Sequence, residues 1–163
     1  MNAASNTALI ERFYAAFAVL DGEAMQGCYI ADAEFEDPVF KLSGREQIGG
    51  MWRMLCEATR TKGRDAWRLE ASGIEAGAMS GQAHWEAHYR FSATGRMVHN
   101  IIDAEFTFAD GLIAKHRDTF PFWRWSRQAL GTSGLLLGWT SIVHNKVRAQ
   151  AASNLSRFLT RAG

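Results

Sequence analysis

An α+β domain in which a curved sheet wraps around N-terminal helices follows from three features of this sequence. Apolar residues recur with helical period over residues 5–20, the period drops to two between about residue 66 and Phe120, and it returns to helical beyond Pro121. Helices first and a run of antiparallel strands afterwards is the order of an α+β layout. The 163 residues make one domain of ordinary size, and 47% hydrophobic content with 6 Trp and 10 Phe supplies an aromatic core.

In the first helix Leu9, Phe13 and Phe17 share one stripe, flanked by Ile10 and Leu20. Asp21 reads as the N-cap of a short second helix carrying Met25, Cys28 and Tyr29. A strand follows through Asp32-Ala-Glu-Phe-Glu-Asp37 and stops at Pro38, which offers no N–H to a sheet. Alternation then places Phe35 and Asp37 on one face, with Glu34 and Glu36 on the other. Asp37 thus has two readings: a turn cap beside Pro38, or a carboxylate at the lip of an apolar cavity that accepts a proton.

Ser43-Gly-Arg-Glu46 has the form of a capping box opening a third helix, whose inner face is Ile48, Met51, Trp52 and Leu55. Gly49-Gly50 weakens that helix locally and permits close packing. In the strands Trp67, Leu69 and Ala71 form one inner row, and Trp85, Ala87, Tyr89 and Phe91 a second. After Thr94-Gly95 come Val98, Asn100, Ile102, Ala104, Phe106 and Phe108. Asp110-Gly111 signals a hairpin into a last strand with His116, Asp118 and Phe120 in one row. His84, His88 and His99 fall on the outer face among Glu86, Arg90, Asp103 and Glu105, as a polar sheet face or a dimer interface and not as a metal site. Beyond the sheet, Thr140 caps a final helix with Val143, Val147, Ala151, Leu155 and Phe158 as its stripe.

The net charge of +1 is uneven. Residues 1–120 hold 12 basic and 17 acidic side chains, whereas residues 121–163 hold 6 basic ones and no acid. The tail therefore has two readings: a lid in which Trp123, Trp125, Leu135 to Leu137 and Trp139 close the domain, or a surface that rests on an anionic membrane. Its basic charges are too few and scattered for nucleic-acid binding. The N-terminus shows no signal-peptide pattern, and Cys28 and Cys56 suit reduced core residues of a cytoplasmic protein. No phosphate loop, nucleophile elbow or zinc-helix motif is present.

The segments Ala31 to Val39, Ser43-Gly44, and Phe106-Thr-Phe-Ala-Asp-Gly-Leu-Ile113 resemble the nuclear-transport-factor-2-like superfamily, and within it the ketosteroid isomerase and polyketide-cyclase (SnoaL-like) group. The resemblance covers roughly residues 7–121, with residues 122–163 left as a helical extension packed on the same domain. It implies a cone: a strongly bent antiparallel sheet closed around the helices over one deep apolar pocket, dimerising through the outer sheet face. It also implies a small hydrophobic ligand and proton transfer without cofactor or metal. Asp37 falls on the general base of ketosteroid isomerase, whose oxyanion hole uses a Tyr and a protonated Asp. Those two positions fall on Phe13 and Ala104, neither of which can donate a hydrogen bond, so steroid isomerisation by that arrangement is disfavoured. Tyr14 is a neighbour, turned about 100° around the helix. Asp118 matches the acid/base position of the polyketide-cyclase branch, with His116 on the same face, and Tyr29, Asn100 or a water would serve as carbonyl donor. Tyr29 and Trp52 match pocket aromatics, and the inner rows add Trp85, Tyr89, Phe106 and Phe120 to the lining.

Overall fold

The computed structural model describes residues 2–162. Its first helix, α1 (Ala3–Ala18), is capped by Asn2, whose side chain accepts from the Ser5 N–H. A short α2 (Gly22–Gln26) is capped by Asp21, which accepts from the Ala24 N–H as the sequence predicts. Strand β1 (Tyr29–Glu36) turns into the three-residue β2 (Lys41–Ser43), and α3 (Arg45–Lys62) follows. Then come β3 (Arg68–Ala76), β4 (Ser80–Arg90), β5 (Met97–Ala109) and β6 (Leu112–Thr119). Three helices complete the chain: α4 (Phe122–Ala129), α5 (Thr132–Leu137) and α6 (Ser141–Ala162).

The six strands form one curled sheet in the order β2-β1-β6-β5-β4-β3. Strands β3 to β6 are the expected antiparallel meander, and the turn at Asp110-Gly111 has both residues at positive φ, as a tight hairpin requires. One pairing departs from an antiparallel sheet. β1 runs parallel to β6, with Phe35 opposite His116, because α3 and the whole meander separate the two in sequence. The ladders slip between Ser72 and Glu75 and between Thr107 and Phe108, and such irregularities let a sheet bend.

Several local expectations are corrected. The second helix ends at Gln26, so it carries Met25 but not Cys28 or Tyr29, and Tyr29 opens β1. The Ser43–Glu46 capping box does not form: Ser43 ends β2 and Gly44, at φ 89°, is the N-cap without a side-chain bond. Leu55 is exposed, and Cys56 takes the inner position that the stripe assigned to it. At Gly50 a Cβ would sit 2.4 Å from the Leu159 side chain, so its lack of a side chain is what lets α6 lie against α3. Correspondingly, Leu155, Ala151 and Leu159 meet the core, and Phe158 of the predicted stripe does not.

The interior is a nest of aromatic rings. Phe13 meets Tyr29, Trp52 and His116 edge to face, at centroid distances of 5.9, 5.5 and 5.5 Å. A second, smaller cluster of Val98, Trp125 and Ala129 seats α4 on β5, and Tyr89 and Phe120 touch both clusters. α5 presses on α4 through Gly134, where a Cβ would lie 1.9 Å from the Ser126 carbonyl oxygen. Of the residues expected to form a lid, only Trp125 is buried; Trp123, Leu135 to Leu137 and Trp139 are exposed and do not close the domain.

Candidate functional site

Alternation along β6 turns His116 and Asp118 inward together, and both are buried. Burial of polar groups in an aromatic nest requires partners, and these two have them. Tyr29 Oη lies 2.7 Å from His116 Nδ1, and His116 Nε2 lies 3.0 Å from Asp118 Oδ1. At one end Trp52 Nε1 donates to Tyr29 Oη at 3.1 Å, and at the other Trp85 Nε1 donates to Asp118 Oδ1 at 3.3 Å. One assignment satisfies every hydrogen. His116 Nδ1 is the acceptor within reach of the Tyr29 hydroxyl, so the Tyr29 O–H donates to Nδ1 and the Nε2–H donates to Asp118 Oδ1. The chain of donors thus points from α3 and β1 to a single carboxylate. Asp118 Oδ2 accepts from no protein donor among the described residues.

Asp37 reaches the same region by another route. β1 ends at Glu36, so Asp37 opens a turn in which its N–H donates to the Phe40 carbonyl. Its Oδ1 accepts the N–H groups of Val39 and Phe40 at 2.7 and 2.5 Å, leaving Oδ2 without a protein partner among the described residues. The turn-cap reading is thus correct for one oxygen and leaves the other available. Burial, reinforced by the Asp118 charge, pushes the Asp37 carboxyl up to about 7 against the two backbone donors and Arg148. The Asp37 charge in turn helps burial raise the Tyr89 hydroxyl to about 12, so Asp37, Tyr89 and Asp118 share one electrostatic neighbourhood.

Two groups are left over. Tyr14 Oη is buried without any hydrogen-bond partner, and burial with the Asp118 charge raises its pKa well above the ordinary phenol value. The rotation that takes Tyr14 off the Phe13 position carries it toward Trp85 and Phe106, with ring centroids 6.2 and 6.5 Å away. Asn100 is buried on the inner row of β5, and its side chain has no hydrogen bond among the described residues. It does not bond Asp118, whose partners are His116 and Trp85. The Tyr29 hydroxyl, expected as a carbonyl donor, is committed to His116. Phe13 and Ala104 are fully inside, as apolar wall.

Sequence reasoning missed what the tail contributes. His144 Nε2 and Arg148 Nε both reach the Pro38 carbonyl, next to Asp37 and more than 100 residues away in sequence. Phe122 stacks on His144 at 4.2 Å, and Trp125 Nε1 donates to Tyr89 Oη at 2.8 Å. Nothing in the local pattern of residues 122–148 carries that pairing. A groove of about 270 Å³ lies between α3 and α6, and one of about 470 Å³ beside β1, β2, β5 and β6. Neither is lined by Asp37 or Asp118. On the outer face His99 Nε2 lies 2.6 Å from a Glu86 carboxylate oxygen and His84 Nδ1 2.8 Å from an Asp103 carboxylate oxygen, so these polar side chains pair across neighbouring strands. Among the described residues no group of His, Cys, Asp and Glu is arranged to hold a metal ion.

Helices packed in the curl of a single six-stranded sheet are the architecture of the nuclear-transport-factor-2-like class of α+β cones. The chain belongs to the SnoaL-like domain family, whose model matches residues 10–116. Solved structures share the fold at low identity. A candidate polyketide cyclase from a Silicibacter species is 18% identical with a TM-score of 0.62, over 78% of this chain and 97% of that one. An LEH-like epoxide hydrolase from M. tuberculosis is 17% identical with a TM-score of 0.62, over 86% and 96%. A candidate ketosteroid isomerase from Kribbella flavida is 15% identical with a TM-score of 0.56, over 73% and 79%. No curated protein matches the sequence.

Proposed function

We propose that this protein catalyses acid/base proton transfer on a small hydrophobic carbonyl or polycyclic ligand, an isomerisation, cyclisation or dehydration in which its own side chains move the proton. The observation that carries the reading is the continuous chain Trp52–Tyr29–His116–Asp118–Trp85, which converges on Asp118 Oδ1 and leaves Asp118 Oδ2 without a protein donor among the described residues. A chain of that kind satisfies the polar groups of His116 and Asp118 in an apolar interior, where an unpartnered polar group is costly. Asp37, with its pKa raised to about 7, is matched to accept and return a proton near neutrality.

In this scheme Asp37 Oδ2 takes a proton from a carbon next to the ligand carbonyl. Asp118, held by His116, is the second proton acceptor, and Asp37 returns its proton to another carbon of the ligand. The unpartnered Tyr14 hydroxyl, with the Asn100 amide, donates to the oxygen on which charge develops, in place of the donors lost at Phe13 and Ala104. Trp52, Trp85, Tyr89, Phe106 and Phe120 keep water from the reacting carbon.

The test is exchange of α-hydrogens for deuterium in a panel of cyclic ketones and enones, followed by proton NMR. Wild-type protein should accelerate exchange in at least one compound, and Asp37→Asn or Asp118→Asn should slow it by about 10²- to 10⁴-fold with the circular dichroism spectrum preserved. A second reading, a binding domain without chemistry, is favoured by the loss of both expected oxyanion donors. It predicts that compounds bind with equal affinity to wild type and both variants while no exchange occurs, and that result would reject the catalytic assignment.

A further inference from the structure

The tail leaves a large apolar surface uncovered. Trp123, Leu135, Leu136, Leu137, Trp139 and Ile142 are 41%, 51%, 63%, 52%, 74% and 78% exposed. Single exposed apolar residues are ordinary, but a contiguous group of this size on one surface marks a contact site. Within this group Trp123 Nε1 donates to the Leu135 carbonyl at 3.3 Å and Trp139 Nε1 to the Leu136 carbonyl at 3.1 Å, which ties both indoles to α5. It is also held in place from beneath: Trp125 and Ala129 are buried against β5, and Gly134 is pressed on Ser126. The surface is thus preorganised, which lowers the entropic cost of docking it.

Its charge identifies the occupant. The Arg127 guanidinium lies 4.8 Å over the Trp123 ring, Arg124 and Lys146 belong to the same stretch, and residues 121–163 contain six basic side chains and no acidic one. Exposed Trp and Leu beside basic side chains is the composition of a surface that sinks its apolar part below lipid headgroups and pairs its cations with anionic ones. A second copy of the chain fits less well. A two-fold contact would set one basic stretch against another with no acid in either tail to answer it. No helix among the described residues is long and apolar enough to cross a membrane, so the contact is one of lying on the surface. We propose that the face formed by α4, α5 and the start of α6 docks on an anionic lipid bilayer.

Full-length protein is floated with phosphatidylcholine vesicles with and without about 30 mol % phosphatidylserine, while Trp emission and native mass are recorded. The expected result is binding to the anionic vesicles with a blue shift of the emission, weakened at high salt. Leu136→Ser, Trp139→Ser and Ile142→Ser together should lower the partition coefficient at least about tenfold with the fold intact, because all three side chains are mostly exposed. Arg127→Gln with Lys146→Gln should weaken binding and flatten its salt dependence. The proposal is overturned if wild type does not bind, if it binds neutral and anionic vesicles equally, or if the apolar triple variant binds as wild type does. A dimer that the triple variant converts to monomer, with no vesicle binding, would assign the face to a second copy instead.

Discussion

Tyr29→Phe and Tyr14→Phe delete the same hydroxyl from two buried tyrosines about 15 positions apart in sequence, and the structure predicts opposite outcomes. Tyr29 Oη is bonded on both sides, by Trp52 Nε1 at 3.1 Å and to His116 Nδ1 at 2.7 Å. Phe at position 29 strands a buried donor and a buried acceptor, at about 1–3 kcal/mol each, for a total of about 2–5 kcal/mol after the hydroxyl's own desolvation is recovered. Tyr14 Oη has no partner, so its removal strands nothing and relieves a desolvated group. That change should be neutral or stabilising by about 1 kcal/mol. Urea unfolding followed by circular dichroism reads the difference. At a slope of about 2 kcal/mol/M, Tyr29→Phe should lower the midpoint by about 1–2.5 M, and Tyr14→Phe should leave it unchanged or raised. Equal midpoints for the two variants would show that the chain through Tyr29 and His116 does not exist in solution. Activity separates them in another way, since Tyr14→Phe should lose the donor to the ligand carbonyl, about 2.7–4 kcal/mol of transition-state stabilisation, without loss of stability.

The remaining predictions concern Asp37 and the tail. A carboxyl with its folded pKa raised to about 7 binds more protons folded than unfolded between about pH 4 and 7, so its contribution to stability is present at low pH and lost as pH rises through that window. Asp37→Asn should therefore gain on wild type from pH 4 to 7 and stay level above it, in urea midpoints taken across that range; a constant difference would mean that Asp37 is not desolvated. With Asp37 as base, the exchange rate should rise with pH to a plateau above about 7, and an Asp37→Asn profile lacking that step would agree. Trp125→Ala empties the smaller cluster and removes the donor to Tyr89, and it should cost about 3–5 kcal/mol in the same unfolding assay. Gly134→Ala drives a methyl into the Ser126 carbonyl, 1.9 Å from the Cβ position, and should expose residues 122–140 to limited proteolysis that leaves wild type intact.

Much of this was written in local pattern. The alternation in β4, β5 and β6 placed Trp85, Asn100, Ala104, Phe106, His116 and Asp118 on the buried face, because the two-residue period of a strand leaves no other choice once a core is specified. The cap at Asp21 and the turn at Asp110-Gly111 were equally local. The capping box at Ser43 failed because Gly44 at positive φ starts α3 one residue later, and a short-range motif cannot report the strand that claims Ser43.

What residue order alone determined is which side chains face inward and where Asp37 leaves its strand. It did not determine which of those side chains find each other. The parallel pairing of β1 with β6 brings Tyr29 to His116, separated by 87 residues, and so makes Tyr29 a link in the chain, whereas the Tyr14 hydroxyl has no hydrogen-bond partner among the described residues. The same closure sets His144 and Arg148 on the turn beside Asp37. Hydrogen bonds between inward-facing groups depend on register and curvature across the whole sheet, and those are settled only when the cone closes.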